Sequence, residues 1–372
     1  MNIGIDLYEA NVKQRVGIGQ FAHRVITELY RLEKHNFILF SPRDPLPDLP
    51  KERVNWRYVV GKPGSFWTVR QLPGLIKKEN VDVFFSPTHY LPWFTSVPKV
   101  MAIMDVSYLR YPELFQARDL LQLKLMTNYS VQRARKILTI SEFSKQEIIE
   151  HYKYPKDNIE VTYPGINRKI KDKVITLDDN YQNKVLKTHG IDRRYLLFVG
   201  TLQPRKNLER LVAAFERLKS EVQLIIVGKK GWLWKPIIKR IQKSPKRERI
   251  KLLDFVSEEE LFCLYNAADC FVLPSLYEGF GIPVVEAMFM GCPVVVSNTS
   301  SLPEIAGDAG IYVNPQEAKS IAAGLTKALQ LKPTERRSLI QKGYRQAEKF
   351  SWETCARKTL AVLESLVIEL KI

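Results

Sequence analysis

The chain has 372 residues, 45% of them hydrophobic and 26% charged, with a formal net charge of +17. This balance excludes a disordered or fibrous polymer, and the length suggests two domains, each large enough for its own core. No apolar run approaches the ~18 residues needed to cross a bilayer. The four cysteines (Cys263, Cys270, Cys292, Cys355) lack C-x-x-C spacing, which fits reduced, buried thiols rather than a disulfide frame or zinc site.

The opening "MNIGIDL" lacks the basic-then-apolar pattern of a secretory leader and reads as a first strand of a cytoplasmic chain. "VGIGQ" then makes a glycine-containing turn, and "FAHRVITELYRL" has helical spacing. "VDVFFSPTHY", "VPKVMAIMD" and "RKILTISEFS" read as further strands, each ending in polar or turn residues. The charged, strand-poor stretch of residues 171–190 is the expected linker between a first domain at 1–170 and a second at 191–350. In the second, "RRYLLFVG", "VQLIIVG", "IKLLDFV", "DCFVLPS" and "CPVVVSN" repeat the strand rhythm. Continuous apolar strands with helices between them imply parallel sheets covered on both faces, hence an α/β chain of two doubly wound domains. The tail at 351–372, "FSWETCARKTLAVLESL" and onward, forms an amphipathic helix with Ser351 as a plausible cap. In "SEFS", Ser141 to Ser144, a plain helix cap competes with a ligand contact.

Positive charge is spread over both halves, with one dense cluster. "KKGWLWKPIIKRIQKSPKRERIK", Lys229 to Lys251, holds ten basic residues against the single acid Glu248. Such a surface attracts nucleotides, anionic lipid or nucleic acid, and charge alone does not choose among them. Trp232, Leu233, Trp234, Ile237 and Ile238 interleave with the bases as on an interfacial helix, which would allow peripheral contact with an anionic membrane. The plainer reading is a solvated loop and helix beside a nucleotide, with Lys230 reaching it. No nucleic-acid recognition motif is present.

Two segments carry the chemistry. In "LYEGFGIPVVEAMFMGCPVVVSN", residues 276–298, Glu278 and Glu286 sit in one of the most apolar regions of the chain. A carboxylate buried there is costly without a partner, so it meets either a cation in the fold or a ligand. Pro283 fits a first helical turn, which leaves Glu278 on the strand-to-helix loop, Glu286 inside the helix, and the amides of Gly279 and Gly281 bared at its mouth. Bare amides and a positive helix end suit phosphate or sugar hydroxyls, and an acid just beyond suits a ribose diol. In "FVGTLQPRKN", residues 198–207, a strand ends at Gly200 and Arg205 and Lys206 follow Pro204 on a first turn, where the helix dipole disfavours cations. An anion between them and the helix would explain that, and Arg with Lys is a good pair for a diphosphate; the alternative is a solvated surface pair.

Together, "EGFGIPVVEAMFMGCPVVVSNTSSLPEIAGDAG" and "FVGTLQPRKNLERLVAAF" closely resemble the retaining glycosyltransferases of family 4. "GIDLYEANVKQRVGIGQFAHRV", "DVSYLRYPELF", "LTISEFSKQEII" and "FSWETCARKTL" extend the likeness over most of the chain. The resemblance implies a GT-B fold, two Rossmann-like domains facing a cleft with the C-terminal helix crossing back to the first. It implies transfer of a hexose, mannose favoured, from a GDP- or UDP-linked donor to a polysaccharide or lipid-linked acceptor, without a metal or other cofactor. Carried over by residue, Glu286 would bind the ribose, and Glu278 with Gly279, Phe280 and Gly281 the donor sugar. Arg205 and Lys206 would stabilise the diphosphate, and Phe255–Val256 would read the base. Gly17 and Gly19 would lie near phosphates and acceptor, and Asp105 and Tyr108 would shape the sugar pocket. One departure stands out. The family usually has His-Asp where this chain has Met104–Asp105, which leaves a non-catalytic nucleotide-sugar binder as the alternative function. His89 in "SPTHYLP" is either a substitute in the cleft or a structural residue. A nucleotide-sugar epimerase is disfavoured by the PRKN and paired-glutamate match.

Overall fold

The computed structural model describes residues 1–15, 17–62, 64, 67–168, 179–192, 194–254 and 256–369. The chain divides into two compact units: unit 1 is Met1–Pro112, Ala117–Gly165 and Ser351–Ile372, and unit 2 is Glu113–Gln116 and Ile166–Phe350. Residues 171–178 of the expected linker lie outside the described residues, and its remainder is mostly helix.

Unit 1 runs β1 (Asn2–Asp6), α1 (Ile18–Leu32), β2 (Asn36–Ser41), β3 (Trp56–Val60), α2 (Leu72–Lys78), β4 (Val83–Ser86), β5 (Lys99–Ile103), α3 (Ser107–Arg110), α4 (Ala117–Val131), β6 (Lys136–Thr139), α5 (Glu142–Tyr152) and β7 (Ile159–Val161). Its seven strands form one sheet in the order β3-β2-β1-β4-β5-β6-β7, and every pairing is parallel. Ile3, Ile5, Val83, Phe84 and Phe85 are fully buried, as central strands covered on both faces must be. Ser141 caps α5 by accepting from the Ser144 N–H at 2.9 Å.

Unit 2 runs α6 (Asp179–Thr188), β8 (Tyr195–Val199), α7 (Leu208–Glu216), β9 (Gln223–Val227), α8 (Lys235–Gln242), β10 (Ile250–Leu253), α9 (Glu258–Ala267), β11 (Cys270–Leu273), α10 (Ile282–Phe289), β12 (Val294–Ser297), α11 (Leu302–Ala306), β13 (Gly310–Val313), α12 (Ala318–Leu329) and α13 (Pro333–Ala347). The sheet order is β10-β9-β8-β11-β12-β13, again parallel throughout. The strand order reverses between β8 and β11, and open sheets of this kind bind ligands outside the carboxyl ends at that point. The chain then returns to unit 1 in α14 (Trp352–Glu369), where Trp352 meets Phe21 of α1 edge-on at 6.0 Å. Glu364 of α14 also lies 2.7 Å from His35, the residue before β2.

The basic cluster turns only part of its apolar side inward. Ile237 and Ile241 of α8 are buried in unit 2. Trp232 donates to the Leu114 carbonyl at 2.6 Å and stacks on Phe115. Arg240 pairs with Glu216, Arg249 with Glu221, and Lys246 donates to the Leu218 carbonyl. Trp232, Ile237 and Ile241 thus face the fold while Leu233 stays exposed, and a good part of the charge is neutralised locally. Among the described residues no helix is long and apolar enough to cross a membrane. The four cysteines are free and buried.

Candidate functional site

In unit 2, both motifs converge on the carboxyl ends of β8 and β11, beside the reversal of strand order. After β8 the chain turns through Pro204–Lys206, and Asn207 takes a left-handed conformation (φ 61°) before α7. The buried Asn207 amide fixes this turn by donating to the carbonyls of Pro274 at 2.9 Å and Pro315 at 2.6 Å. The Leu276 N–H donates to the Arg205 carbonyl at 2.8 Å, which ties the two loops together.

The cations of one loop meet the carboxylate of the other. Lys206 Nζ lies 2.6 Å from Glu278 Oε1, and Arg205 Nη1 lies 3.0 Å from Oε2 and 2.9 Å from the Tyr277 carbonyl. Ser275 donates to Oε1 at 2.6 Å. Burial opposes ionisation of Glu278, yet the charges of Lys206 and Arg205 with these hydrogen bonds outweigh it and hold the carboxyl at about 2. Two cations against one anion give this cluster a net positive charge at the carboxyl edge of the sheet.

The loop after Glu278 is held as firmly. Ser301 donates to the carbonyls of Glu278 and Phe280, both at 2.9 Å, and the Glu278 N–H donates to Ser300 at 3.1 Å. Phe280 is buried edge-on against Phe350 at 5.2 Å. Gly281 has φ 102° and caps α10; a Cβ there would also fall 2.9 Å from Leu302. Glu286 follows on α10, half-buried, and accepts from the buried Tyr265 hydroxyl at 3.0 Å. Burial, then the Glu286 charge, pushes the Tyr265 phenol well above its ordinary value, so it stays a donor.

The other unit 2 positions are more scattered. Gly200 ends β8 and packs against Gly228, where a Cβ would fall 2.0 Å from the Gly200 carbonyl oxygen. Val256 is buried between β10 and α9, and Phe255 lies outside the described residues. Lys230 is exposed, with its ammonium 4.9 Å from the Trp234 ring centroid.

Unit 1 holds the remaining positions. Gly17 precedes α1 with φ 47°, and a Cβ on Gly19 would fall 2.8 Å from the Glu9 carbonyl. Asp105 follows β5 and accepts from the Ser107 N–H at 2.9 Å. His89 Nε2 accepts the Met104 N–H at 3.2 Å, which places the proton on Nδ1, a buried atom with no hydrogen-bond partner. Burial lowers the His89 pKa against the pull of Asp105, so this imidazole is neutral. It is therefore bound to the Met104 backbone itself. Tyr108 departs from the expected sugar pocket: it is 2% exposed in the core of unit 1, and its hydroxyl meets that of Tyr152. Ser275, Ser301 and Tyr265 were not singled out by the sequence. Only Ser275, three residues before Glu278, carried a local signal.

The comparisons agree with one another. Residues 16–169 match the family model of Glycosyltransferase Family 4, and residues 182–346 that of Glycosyl transferases group 1. O-antigen chain mannosyltransferase B of Escherichia coli is 34% identical over 286 residues, covering 75% of this chain and 73% of that protein. Among solved structures, sucrose-phosphate synthase of Thermosynechococcus elongatus superposes with a TM-score of 0.79 at 18% identity, over 99% of both chains. HepE of Anabaena, solved with UDP-glucose, gives a TM-score of 0.76 at 18% identity, over 98% of this chain and 100% of that one.

Proposed function

Because the chain belongs to the family 4, group 1 glycosyltransferases and has their GT-B fold, we propose that it moves a mannosyl residue from a nucleoside-diphosphate donor to a polysaccharide or lipid-linked acceptor, with retention and without a metal. The observation that carries this reading is the Arg205–Glu278–Lys206 cluster, a buried set of net positive charge at the carboxyl edge of β8 and β11. Mannose is chosen because the mannosyltransferase relative is similar over three quarters of the chain. The donor class follows HepE, which was solved with UDP-glucose.

As the sugar–phosphate bond breaks, negative charge grows on the diphosphate and positive charge on the anomeric carbon. Arg205 and Lys206 answer the first, and losing one such donor typically costs ~10²–10³ in rate. Glu278 keeps both cations oriented before the donor arrives, and the Gly279–Gly281 turn offers its backbone to the sugar. Glu286, steadied by Tyr265, takes the ribose hydroxyls. Retention follows when the acceptor attacks on the face that the diphosphate leaves, so that no protein nucleophile is required.

The test is nucleotide release from GDP-mannose and the common UDP-sugars with EDTA present, for the wild type and Glu286→Ala. Release from one donor, insensitive to EDTA and lost in the variant, is the expected result. No affinity for any of these donors would overturn the reading.

A further inference from the structure

Unit 1 has its own reversal of strand order, between β1 and β4, and Asp6 lies at the carboxyl end of β1 beside it. Asp6 is 3% exposed. Its Oδ1 accepts twice, from the Trp67 indole N–H at 3.1 Å and from the Tyr8 N–H at 3.0 Å, while among the described residues no protein donor meets Oδ2. Two residues on, Tyr8 is 41% exposed, the one large aromatic of this turn left in water. Oδ2 is not among the buried side-chain atoms that lack a partner, so this oxygen opens to the surface, where a ligand hydroxyl can donate to it.

The neighbourhood selects the ligand. The Arg43 guanidinium stands 6.0 Å from the Tyr8 ring centroid, so the spot already has a cation and has no need of a second. An anion would meet Asp6 and Glu9. A neutral polyol avoids both, donates to Oδ2 through a hydroxyl, and can lay an apolar face of its ring on the tyrosine, whose body is apolar and whose edge is wet. We propose that Asp6 and Tyr8 form a pyranose subsite for the acceptor glycan, Oδ2 accepting a sugar hydroxyl and the Tyr8 ring covering the sugar's apolar face. The choice of a glycan over other polyols rests on the transfer reaction proposed above.

Binding at this subsite depends on pH. Burial pushes the Asp6 carboxyl up to about 6; the Trp67 and Tyr8 hydrogen bonds act against the rise, and Glu9 adds to it. Glu9 is the charged group acting on Asp6; it is itself raised by burial and lowered by Arg43. The ionised form accepts the hydroxyl, so affinity is present above pH 6 and falls as the pH drops through that value.

Saturation-transfer NMR on the full chain, with mannose-, glucose-, galactose- and N-acetylglucosamine-containing oligosaccharides as probes, tests this. Wild type is expected to bind one class, and Asp6→Asn and Tyr8→Ala each to weaken it by about tenfold, while Glu286→Ala leaves it unchanged. Trp67→Phe separates binding from packing: it also loses the Asp6 bond, but it should bind normally at pH 8 and shift the acid limb to higher pH. No glycan bound by wild type, affinity unchanged in both Asp6→Asn and Tyr8→Ala, or a Trp67→Phe protein as weak at pH 8 as Asp6→Asn, would overturn the subsite. Nucleotide release is measured in parallel. A wild type that binds glycan through Asp6 but releases no nucleotide refutes the transfer reaction and leaves the subsite standing.

Discussion

Lys206 Nζ and Glu278 Oε1 lie 2.6 Å apart with side chains only 10% and 5% exposed, and Arg205 closes on the other carboxylate oxygen at 3.0 Å. Neither loop makes sense alone, since each cation and the carboxylate would be buried uncompensated. Replacing both sides of such a pair can be nearly neutral, but removing one side strands a buried charge, at a typical cost of ~3–5 kcal/mol. Glu278→Gln should therefore lower the urea midpoint strongly with an unchanged slope. Because it removes the carboxylate beside both cations, added GDP or UDP should raise its melting temperature more than it raises that of the wild type. An ordinary melting temperature with no larger nucleotide shift would show that the three charges are not coupled.

The same cluster sets the acid limit. The folded-state pKa of Glu278, about 2, lies below the 4.5 of the unfolded chain. Its contribution to stability is therefore complete above pH 4.5 and is lost as the pH falls toward 2. The difference corresponds to an order of magnitude of 3 kcal/mol. Urea midpoints measured between pH 6 and pH 2.5 should fall more steeply for wild type than for Glu278→Gln. Parallel curves would assign the acid sensitivity to other carboxylates.

Tyr265 and Glu286 give a milder, kinetic prediction. The hydroxyl of Tyr265 donates to Glu286 Oε2 at 3.0 Å from a buried ring. Tyr265→Phe removes one hydrogen bond that orients the carboxylate and leaves the carboxylate in place. If Glu286 holds the ribose equally in ground and transition states, donor KM should rise about five- to tenfold with kcat little changed. Glu286→Ala should raise KM further. A fall in kcat alone would place Glu286 in the chemical step.

How much of this was legible follows from where the information lies. Strands β1, β4, β5, β6, β8, β9, β10, β11 and β12 were readable as apolar runs. Three of the four missed strands, β3, β7 and β13, are sheet edges, half-covered and short, so no continuous run marks them. The fourth, "NFILFS", is an apolar stretch too short for periodicity to classify. Glu278 announced itself as an acid in an apolar segment, and Arg205 and Lys206 as cations on a first turn. Their mutual pairing, across 72 residues for Lys206, is a product of the parallel sheet and not of any local pattern. The same holds for Tyr265 beneath Glu286. Tyr108 and Trp232 show the converse: a family position and an interleaved pattern pointed to a ligand or a membrane surface, and packing buries Tyr108 and turns Trp232 onto Phe115, while Leu233 stays exposed.

The last prediction concerns the floor under the cation loop. Gly200 and Gly228 end adjacent strands β8 and β9, and a Cβ on Gly228 would come within 2.0 Å of the Gly200 carbonyl oxygen and 2.7 Å of its carbon. Both atoms are backbone, so relief requires the two strand ends to part, and the turn bearing Arg205 and Lys206 starts four residues after Gly200. Gly228→Ala should cost at least ~2 kcal/mol and raise donor KM as the cations move off Glu278. Gly74, exposed within α2 and with nothing within 4 Å of its added Cβ, is the control. There the same substitution should stabilise by ~0.5–1 kcal/mol, because alanine loses less backbone entropy in a helix. Urea denaturation of the two variants, read beside donor KM, checks both signs. A Gly228→Ala protein as stable as wild type would mean that the strand ends have slack, and the loop geometry argued from them would fail.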